Sequence, residues 1–323
     1  MSGSPPPEWL NPVYAGVLFA VGAAFGSFLN VAIYRLPRGL SLAGPPSFCP
    51  RCGVRVAAGD NLPLLGWLRL GGKCRNCRGG ISPRYPLVEL IAALLWALEG
   101  WRLAGLAGGY WTDIGAGLLE LAFLSSLPVV FLVDWDYRII PNEISLGGTA
   151  ISLAASGFLP ILHGAEETGV FARRDPLLAA LLSGAPAWAR GLAASLAGAL
   201  AGLAVSLAVY CLGGLVFRAR IEEARKNDPE IDSALGLGDV KLMAFLGAFL
   251  GWRAVPVIFL VGSVSGSLAG IGMKLLSGRP DGASGWRGLA NRWRSGDSVI
   301  PFGPFLVLGA FTAFLLDRFR ADF

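Results

Sequence analysis

Histidine is almost absent from the chain, and its scarcity argues against several kinds of active site. The one histidine, His163, cannot form an H-E-x-x-H metal site, and a serine or cysteine nucleophile would lack its usual base. The sequence also has no P-loop and no strand-turn-helix setting for a dinucleotide fingerprint. Neither a zinc protease of the H-E-x-x-H type nor a catalytic triad, a P-loop enzyme or a dinucleotide-binding domain is therefore expected.

Charged residues are also scarce, at 15% of the 323 residues. A soluble protein carries roughly 25%. Apolar runs long enough to cross a bilayer as helices recur along the chain, about eight of them. They cover residues 13–33, 87–106, 114–133, 143–162, 191–217, 240–252, 254–276 and 299–317. We predict an all-α polytopic membrane protein, in which the short run at 240–252 is partly re-entrant.

No lysine or arginine precedes Arg35, whereas a cleavable signal peptide needs a basic start. We therefore expect the first run to remain as an anchor. Residues 35–84 carry nine basic residues against one acid, Asp60, so the positive-inside rule makes this loop cytoplasmic and the N-terminus external. The positive charge then reflects membrane topology, and no nucleic-acid partner is expected.

The cytoplasmic loop carries two C-x-x-C pairs, Cys49 with Cys52 and Cys74 with Cys77. Four thiolates at this spacing can close a tetrahedral zinc site and hold together a loop too small to bury a core. Disulfides and redox cysteines are the competing interpretations, and the reducing cytoplasm argues against disulfides. Since four cysteines leave no open position, a zinc ion here is expected to be structural.

Two acids stand at the ends of apolar runs. Asp239 follows Gly236 and Gly238 and precedes the run at 240–252, while Asp134 ends the run at 114–133. An ionisable residue at the edge of hydrocarbon is read as functional by default. Glu89 also begins a run, and we interpret it as a helix N-terminal acid favoured by the helix dipole.

The predicted topology brings the two aspartates to one side of the membrane. Counting from an external N-terminus, Asp134 reaches the inner face after the third run and Asp239 after the fifth. Asp136 competes as the partner of Asp239, but residues two apart on a helix point in different directions. We favour Asp134 because it lies closer to the apolar run.

Two carboxylates held close together share one proton, so one can act as base while the other acts as acid. This predicts aspartyl proteolysis at the membrane face. Two other classes stay open. Asp134 and Asp239 could relay protons in a transporter, or the chain could be a membrane-tethered zinc module without catalysis.

The combination of motifs resembles the type IV prepilin peptidase family. The resemblance rests on Phe25–Pro37, the paired C-x-x-C loop, Ile81–Leu90, Asp134 with Ile140–Asn142, Gly236–Leu242 and Ile300–Phe305. It implies an inner-membrane aspartyl endopeptidase whose catalytic residues are Asp134 and Asp239. Its substrates would be type IV prepilins or type II secretion pseudopilins, whose basic leader is removed after a glycine.

The resemblance also implies a second activity. Family members with the cysteine loop commonly methylate the new N-terminus with S-adenosylmethionine, and Gly72 and Lys73 match a position linked to methylation. The family's cysteine loop is said to bind zinc, as the spacing predicts. The long segment 157–190 and the polar loops before Asp239 and Val299 depart from the family pattern.

We predict three parts along the chain: an N-terminal transmembrane helix at 1–34, a cytoplasmic zinc-binding domain at 35–86, and a transmembrane aspartyl peptidase domain at 87–323. The substrate would itself be a membrane protein, so the site is expected to open towards lipid near the inner face.

Overall fold

A computed structural model describes residues 10–105, 111–159, 181–216, 218, 235–277 and 301–319. These ranges contain helices and two isolated β-bridges and no β-strand. Most of the predicted external connection at 157–190, with His163, lies outside the described residues. Most of the polar loop before Asp239 and nearly all of the loop before Val299 also lie outside the described residues.

Nine α-helices occupy the described residues, and each apolar run of the sequence coincides with one of them. Their bounds are α1 Leu10–Arg35, α2 Leu65–Arg69, α3 Arg84–Gly105, α4 Trp111–Tyr137, α5 Asn142–Phe158, α6 Ala187–Val216, α7 Leu237–Leu250, α8 Ala254–Ser277 and α9 Gly303–Phe319. The prediction of an all-α polytopic fold with a four-cysteine loop is confirmed.

Four stretches of helix within the described ranges are long and apolar enough to cross a membrane. They are Asn11–Arg38, Gly115–Tyr137, Ala187–Val216 and Ala254–Gly272. The other predicted spans fall short for identifiable reasons: α3 contains four charged residues, and α5, α7 and α9 have 17, 14 and 17 residues. The protein is an integral membrane protein.

The chain divides into two compact units, Met1–Val133 and Asp134–Phe323, with the boundary inside α4. The division at 34 and 86 inferred from the sequence remains a prediction.

In the first unit, α1 and α3 pack antiparallel through small residues. A Cβ added at Gly26 would lie 2.6 Å from Glu89 Cα, and one added at Gly22 would lie 2.6 Å from Trp96 Cβ. Glycine therefore sets the distance between the two helix axes, as is usual where membrane helices touch closely.

In the second unit, α7 is the central helix. Eleven of its fourteen residues are buried, including Asp239 and the run Leu242–Leu250. Fourteen residues span about 21 Å, less than the ~30 Å of hydrocarbon, so α7 is too short to cross the bilayer alone. It is instead enclosed by its neighbours, chiefly α6 and α5.

The longest helix, α6, contacts α7 through a stripe of small residues. Its buried residues are Gly191, Ser195, Gly198, Ala199, Gly202 and Ser206. A Cβ at Gly198 would overlap the Gly247 carbonyl oxygen, and Ser195 Oγ donates to the Ala248 carbonyl at 2.8 Å. On α5, a Cβ at Gly148 would lie 2.5 Å from the Phe245 ring. Such close contacts leave little freedom to the helix that carries Asp239.

Candidate active site

Asp134 lies in the last turn of α4, where the helix ends in an unusual backbone conformation. Arg138 adopts a positive φ of 57°, and its amide donates to the Asp134 carbonyl at 2.9 Å. A left-handed residue closing a helix in this way is a common C-terminal cap, although glycine usually occupies the position. The chain then turns sharply and α5 begins at Asn142, so Asp134 is held at a turn between two helices.

Asp239 lies in the first turn of α7. Its Oδ2 accepts a hydrogen bond from the Gly236 amide at 3.2 Å, and Gly236 is the N-cap residue. An acid that caps a helix start in this way satisfies an amide that has no partner within the helix. The aspartate is therefore fixed by the helix on which it lies.

The turn after α4 packs on the start of α7. A Cβ at Gly238 would lie 3.4 Å from Ile140 Cβ, and Lys241 Nζ donates to Asn142 Oδ1 at 3.1 Å. These contacts bring the end of α4 beside the start of α7. Both aspartates are buried, with 5% of Asp134 and 7% of Asp239 exposed, and their carboxylates interact electrostatically.

Gly303, the first residue of α9, closes a further side of Asp134. Its backbone amide faces the Asp134 carboxylate, and a Cβ added there would lie 2.5 Å from Oδ2. The positive end of the α9 dipole is thus directed at an acid. Gly303 was not predicted as a site residue, although the motif Ile300–Phe305 contains it.

One carboxylate oxygen of the two aspartates has no hydrogen-bond partner among the described residues. Asp134 Oδ2 is buried and makes no hydrogen bond to any described residue. A buried polar atom without a partner is costly and calls for an explanation, such as a catalytic role. Two buried carboxylates with an open oxygen can bind a water molecule or polarise a carbonyl group.

The four cysteines of the loop meet in the first unit. Their sulfur atoms all lie within 4.8 Å of one another, and none forms a disulfide. Cys49 Sγ and Cys77 Sγ are 3.9 Å apart. Two sulfurs of a tetrahedral zinc site with Zn–S bonds of 2.3 Å are about 3.8 Å apart, so this donor set fits zinc. Both pairs lie on tight turns followed by a left-handed residue, Gly53 at φ 69° and Arg78 at φ 55°.

Backbone amides point at the sulfurs of Cys52, Cys74 and Cys77, although burial and the neighbouring thiols raise the pKa of Cys77 to about 11. The Val54 amide, and then the Asn76 side chain, lower the pKa of Cys52 to about 7. The amides of Cys77 and Asn76 lower the pKa of Cys74. Such N–H groups stabilise the thiolate form that a metal binds. Next to the cluster, Asp60 pairs with Arg75 and Arg69, whose hydrogen bonds lower its pKa to about 2.

Comparison with known proteins identifies the family of the chain. The family model for the bacterial peptidase A24 N-terminal domain matches residues 20–103, and that for the type IV leader peptidase family matches residues 121–271. The chain belongs to the type IV leader peptidase family. The second match contains both aspartates and the first contains all four cysteines. The resemblance inferred from the motifs is confirmed, and the protein is an enzyme of the membrane.

Its curated relatives cover most of the chain. A protein named prepilin leader peptidase/N-methyltransferase from Myxococcus xanthus is 35% identical over 280 residues, which is 86% of this chain and 69% of the relative. Proteins of the same name from Aeromonas salmonicida strain A449 and Pseudomonas aeruginosa strain PAO1 are 31% and 30% identical. These alignments cover 95% and 91% of this chain, and 91% and 88% of the relatives. No solved structure matches the chain.

Two further residues were predicted to belong to a site, and both are in the first unit. They are Gly72 and Lys73 of the cysteine loop. Gly72 has a φ of 66°, and a Cβ there would lie 2.9 Å from the Trp67 ring. The backbone conformation and this contact are enough to explain a glycine at position 72. Lys73 is exposed. Asp136, the competing partner of Asp239, is half-buried, unlike Asp134.

Proposed function

We propose that this leader peptidase removes the basic leader of type IV prepilins and related pseudopilins, with Asp134 and Asp239 as its catalytic pair. One observation carries the proposal: both aspartates are buried where the turn after α4 packs on the start of α7, within the part of the chain that matches the peptidase family. The names of the relatives support the choice of substrate.

The chemistry follows from one shared proton. Two adjacent buried carboxylates cannot both stay ionised, so one is protonated and the other is not. The ionised carboxylate takes a proton from water as the water oxygen bonds to the peptide carbonyl carbon. The protonated carboxylate donates to the carbonyl oxygen. The C–N bond then breaks, and the leaving amine takes the proton held by the first carboxylate.

We further propose that the new N-terminal amine is methylated. S-adenosylmethionine would supply the methyl group from its sulfonium: the deprotonated amine would bond to the methyl carbon as the carbon–sulfur bond breaks, the thioether would leave, and the methylated ammonium would lose a proton. The relatives' name, which includes N-methyltransferase, supports this step. Gly72 and Lys73 are candidate residues for it, on the family resemblance alone.

The location proposed for the reaction is the cytoplasmic face of a bacterial inner membrane. The excess of basic residues in 35–84 supports this topology. A prepilin with an apolar N-terminal helix would then reach the aspartates from the bilayer.

The test of this function is incubation of the purified protein with a prepilin, with and without S-adenosylmethionine, followed by mass measurement of the product's N-terminus. We expect loss of the leader in both reactions and an added methyl mass only with the cofactor. An uncut substrate with a folded enzyme would refute the peptidase and make ion flux the next assay, because a proton relay predicts flux without cleavage.

We propose that the four cysteines hold a structural zinc ion, which closes the loop through Cys49, Cys52, Cys74 and Cys77. Replacing Cys49 and Cys52 by serine is expected to lower the metal content from about one zinc per chain to nearly none, because two ligands remain. Elemental analysis of the purified protein measures this. Stability, methylation or both should fall as well.

Cys211 provides the matched control for the cysteine variants. It lies exposed on α6, in the second unit, so Cys211→Ser should keep the full zinc content. Wild-type protein that contains no zinc after purification without chelators would contradict the assignment.

A further inference from the structure

The cysteine loop exposes an apolar segment, Leu62–Leu68, that its metal site does not explain. Leu62, Leu65 and Leu68 are 50%, 64% and 65% exposed. These fractions are similar to those of Leu87 and Leu94, each 54% exposed on the apolar helix α3. Three such leucines within seven residues form an exposed apolar patch, which marks an interaction surface.

Hydrogen bonds fasten this segment to the membrane helices. The Leu64 amide donates to Glu89 Oε2 at 2.7 Å, and Glu89 is 9% exposed on α3. Asn30 Nδ2 of α1 donates to the Tyr85 carbonyl at 3.1 Å, which holds the start of α3 against α1. The segment is thus attached to the side of the helix pair, and its position along those helices can be estimated.

The point where Leu64 is attached lies partway along α1 and not at its C-terminal end. Glu89 packs against Gly26, since a Cβ at Gly26 would lie 2.6 Å from Glu89 Cα. Gly26 precedes Arg35, the last residue of α1, by nine residues or about 13 Å along the helix. The stretch Asn11–Arg38 is apolar enough to span a membrane. Leu64 therefore lies beside the apolar part of α1.

The loop that carries the patch has an excess of exposed positive charge. Arg51, Arg55, Lys73 and Arg78 of the same loop are all exposed. Arg69 and Arg75 pair with Asp60 but remain 55% and 61% exposed at their side chains. Positive charge would repel a basic leader, whereas lipid phosphates attract it. Exposed leucines on a basic loop are typical of protein segments that lie in the membrane interface.

We propose that Leu62–Leu68 is a membrane anchor of the cysteine loop: its three leucines insert among the acyl chains of the bilayer, and the basic side chains of the loop bind anionic lipid headgroups. This anchor holds the metal-binding loop flat against the membrane surface. It does not depend on the proposed peptidase activity.

The test uses the full-length protein reconstituted in phosphatidylcholine vesicles, with and without phosphatidylglycerol, that contain a phospholipid with a diazirine in its acyl chain. Illumination and peptide mass spectrometry locate the adducts. We expect adducts on residues 62–68 as well as on Leu87 and Leu94, which serve as the internal standard. Phosphatidylglycerol should raise the yield at 62–68 at low salt, and added salt should reverse that rise.

Two double variants test whether the leucines of this segment cause the labelling. Leu65→Asn with Leu68→Asn should lower adducts in the segment about fivefold and leave those on α3 unchanged, because amide side chains avoid the acyl chains. Leu40→Asn with Leu42→Asn changes two other exposed leucines of the loop and should leave the yield at 62–68 unchanged. Zinc content verifies that each variant is folded.

Two results would overturn the proposal. One is labelling of α3 without labelling of residues 62–68 in the wild-type protein, a measurement that needs no variant. The other is displacement of the adducts by excess prepilin, which would make the patch a substrate-binding surface.

Discussion

Asp239→Asn is expected to abolish leader cleavage, with a loss of about 10³-fold or more, and Asp134→Asn to do the same. Each change removes one of the two groups that exchange protons with water and substrate, and a positioned acid or base contributes roughly 10²- to 10⁴-fold. The measurement is the cleavage rate of a purified prepilin by the variants in detergent or vesicles.

Stability should not follow activity in these variants. Asparagine can still accept the hydrogen bond from the Gly236 amide, so the start of α7 keeps its cap. The change also replaces one of two buried carboxyl groups that disfavour each other's ionisation by a neutral amide. We therefore expect the melting temperature of Asp239→Asn to equal or exceed that of the wild type. Loss of activity with lower stability would indicate a structural role for this residue.

Asp136→Asn is the matched control, since it removes a carboxylate from the same turn of α4. The half-buried position of Asp136 predicts cleavage close to the wild-type rate. A loss as large as that of Asp134→Asn would reverse the assignment. Appreciable cleavage by Asp134→Asn would refute the pairing itself, and a proton relay or a non-catalytic role would then need to be considered for both aspartates.

The helices were predictable because each requires a long apolar run, and such runs are visible in composition alone. The arrangement of the helices was not. Both α6 and α7 are strongly apolar, yet α7 is almost wholly buried while α6 buries only a stripe of small residues. Lipid and protein interior are equally apolar, so hydropathy cannot tell which helix is central.

The candidate site, too, could be predicted from the sequence only in part. Asp134 and Asp239 could be selected from sequence because a charge at the edge of an apolar run is costly and therefore informative. Glu89 was interpreted as a helix N-terminal acid, whereas in the structure it accepts the Leu64 amide. That contact joins residues 25 positions apart, and nothing in the local sequence pattern indicates it. Gly303 has no side chain, so its part in the site appears only when its backbone is placed.

Gly303→Ala should lower the cleavage rate about 100-fold while leaving the fold intact, because a displacement of about 1 Å in a reacting group has that scale of effect. The added Cβ would lie 2.5 Å from Asp134 Oδ2 and 3.0 Å from Cγ, so the carboxylate must move. The Asp134 carboxylate is the flexible end of a side chain, so its movement disturbs the packing of the helices little. The rate constant kcat should fall, with little change in the melting temperature.

Gly309→Ala, on the same helix, separates positioning from packing. There the added Cβ would lie 2.9 Å from Ile258 Cα, in the backbone of α8, and no part of Asp134 is near it. Overpacking against backbone typically costs about 1–3 kcal/mol, so this variant should melt earlier but keep its kcat per folded molecule. If Gly303→Ala cleaves at nearly the wild-type rate, α9 does not position Asp134. If only Gly303→Ala loses kcat, the geometry of the catalytic pair depends on three helices, α4, α7 and α9.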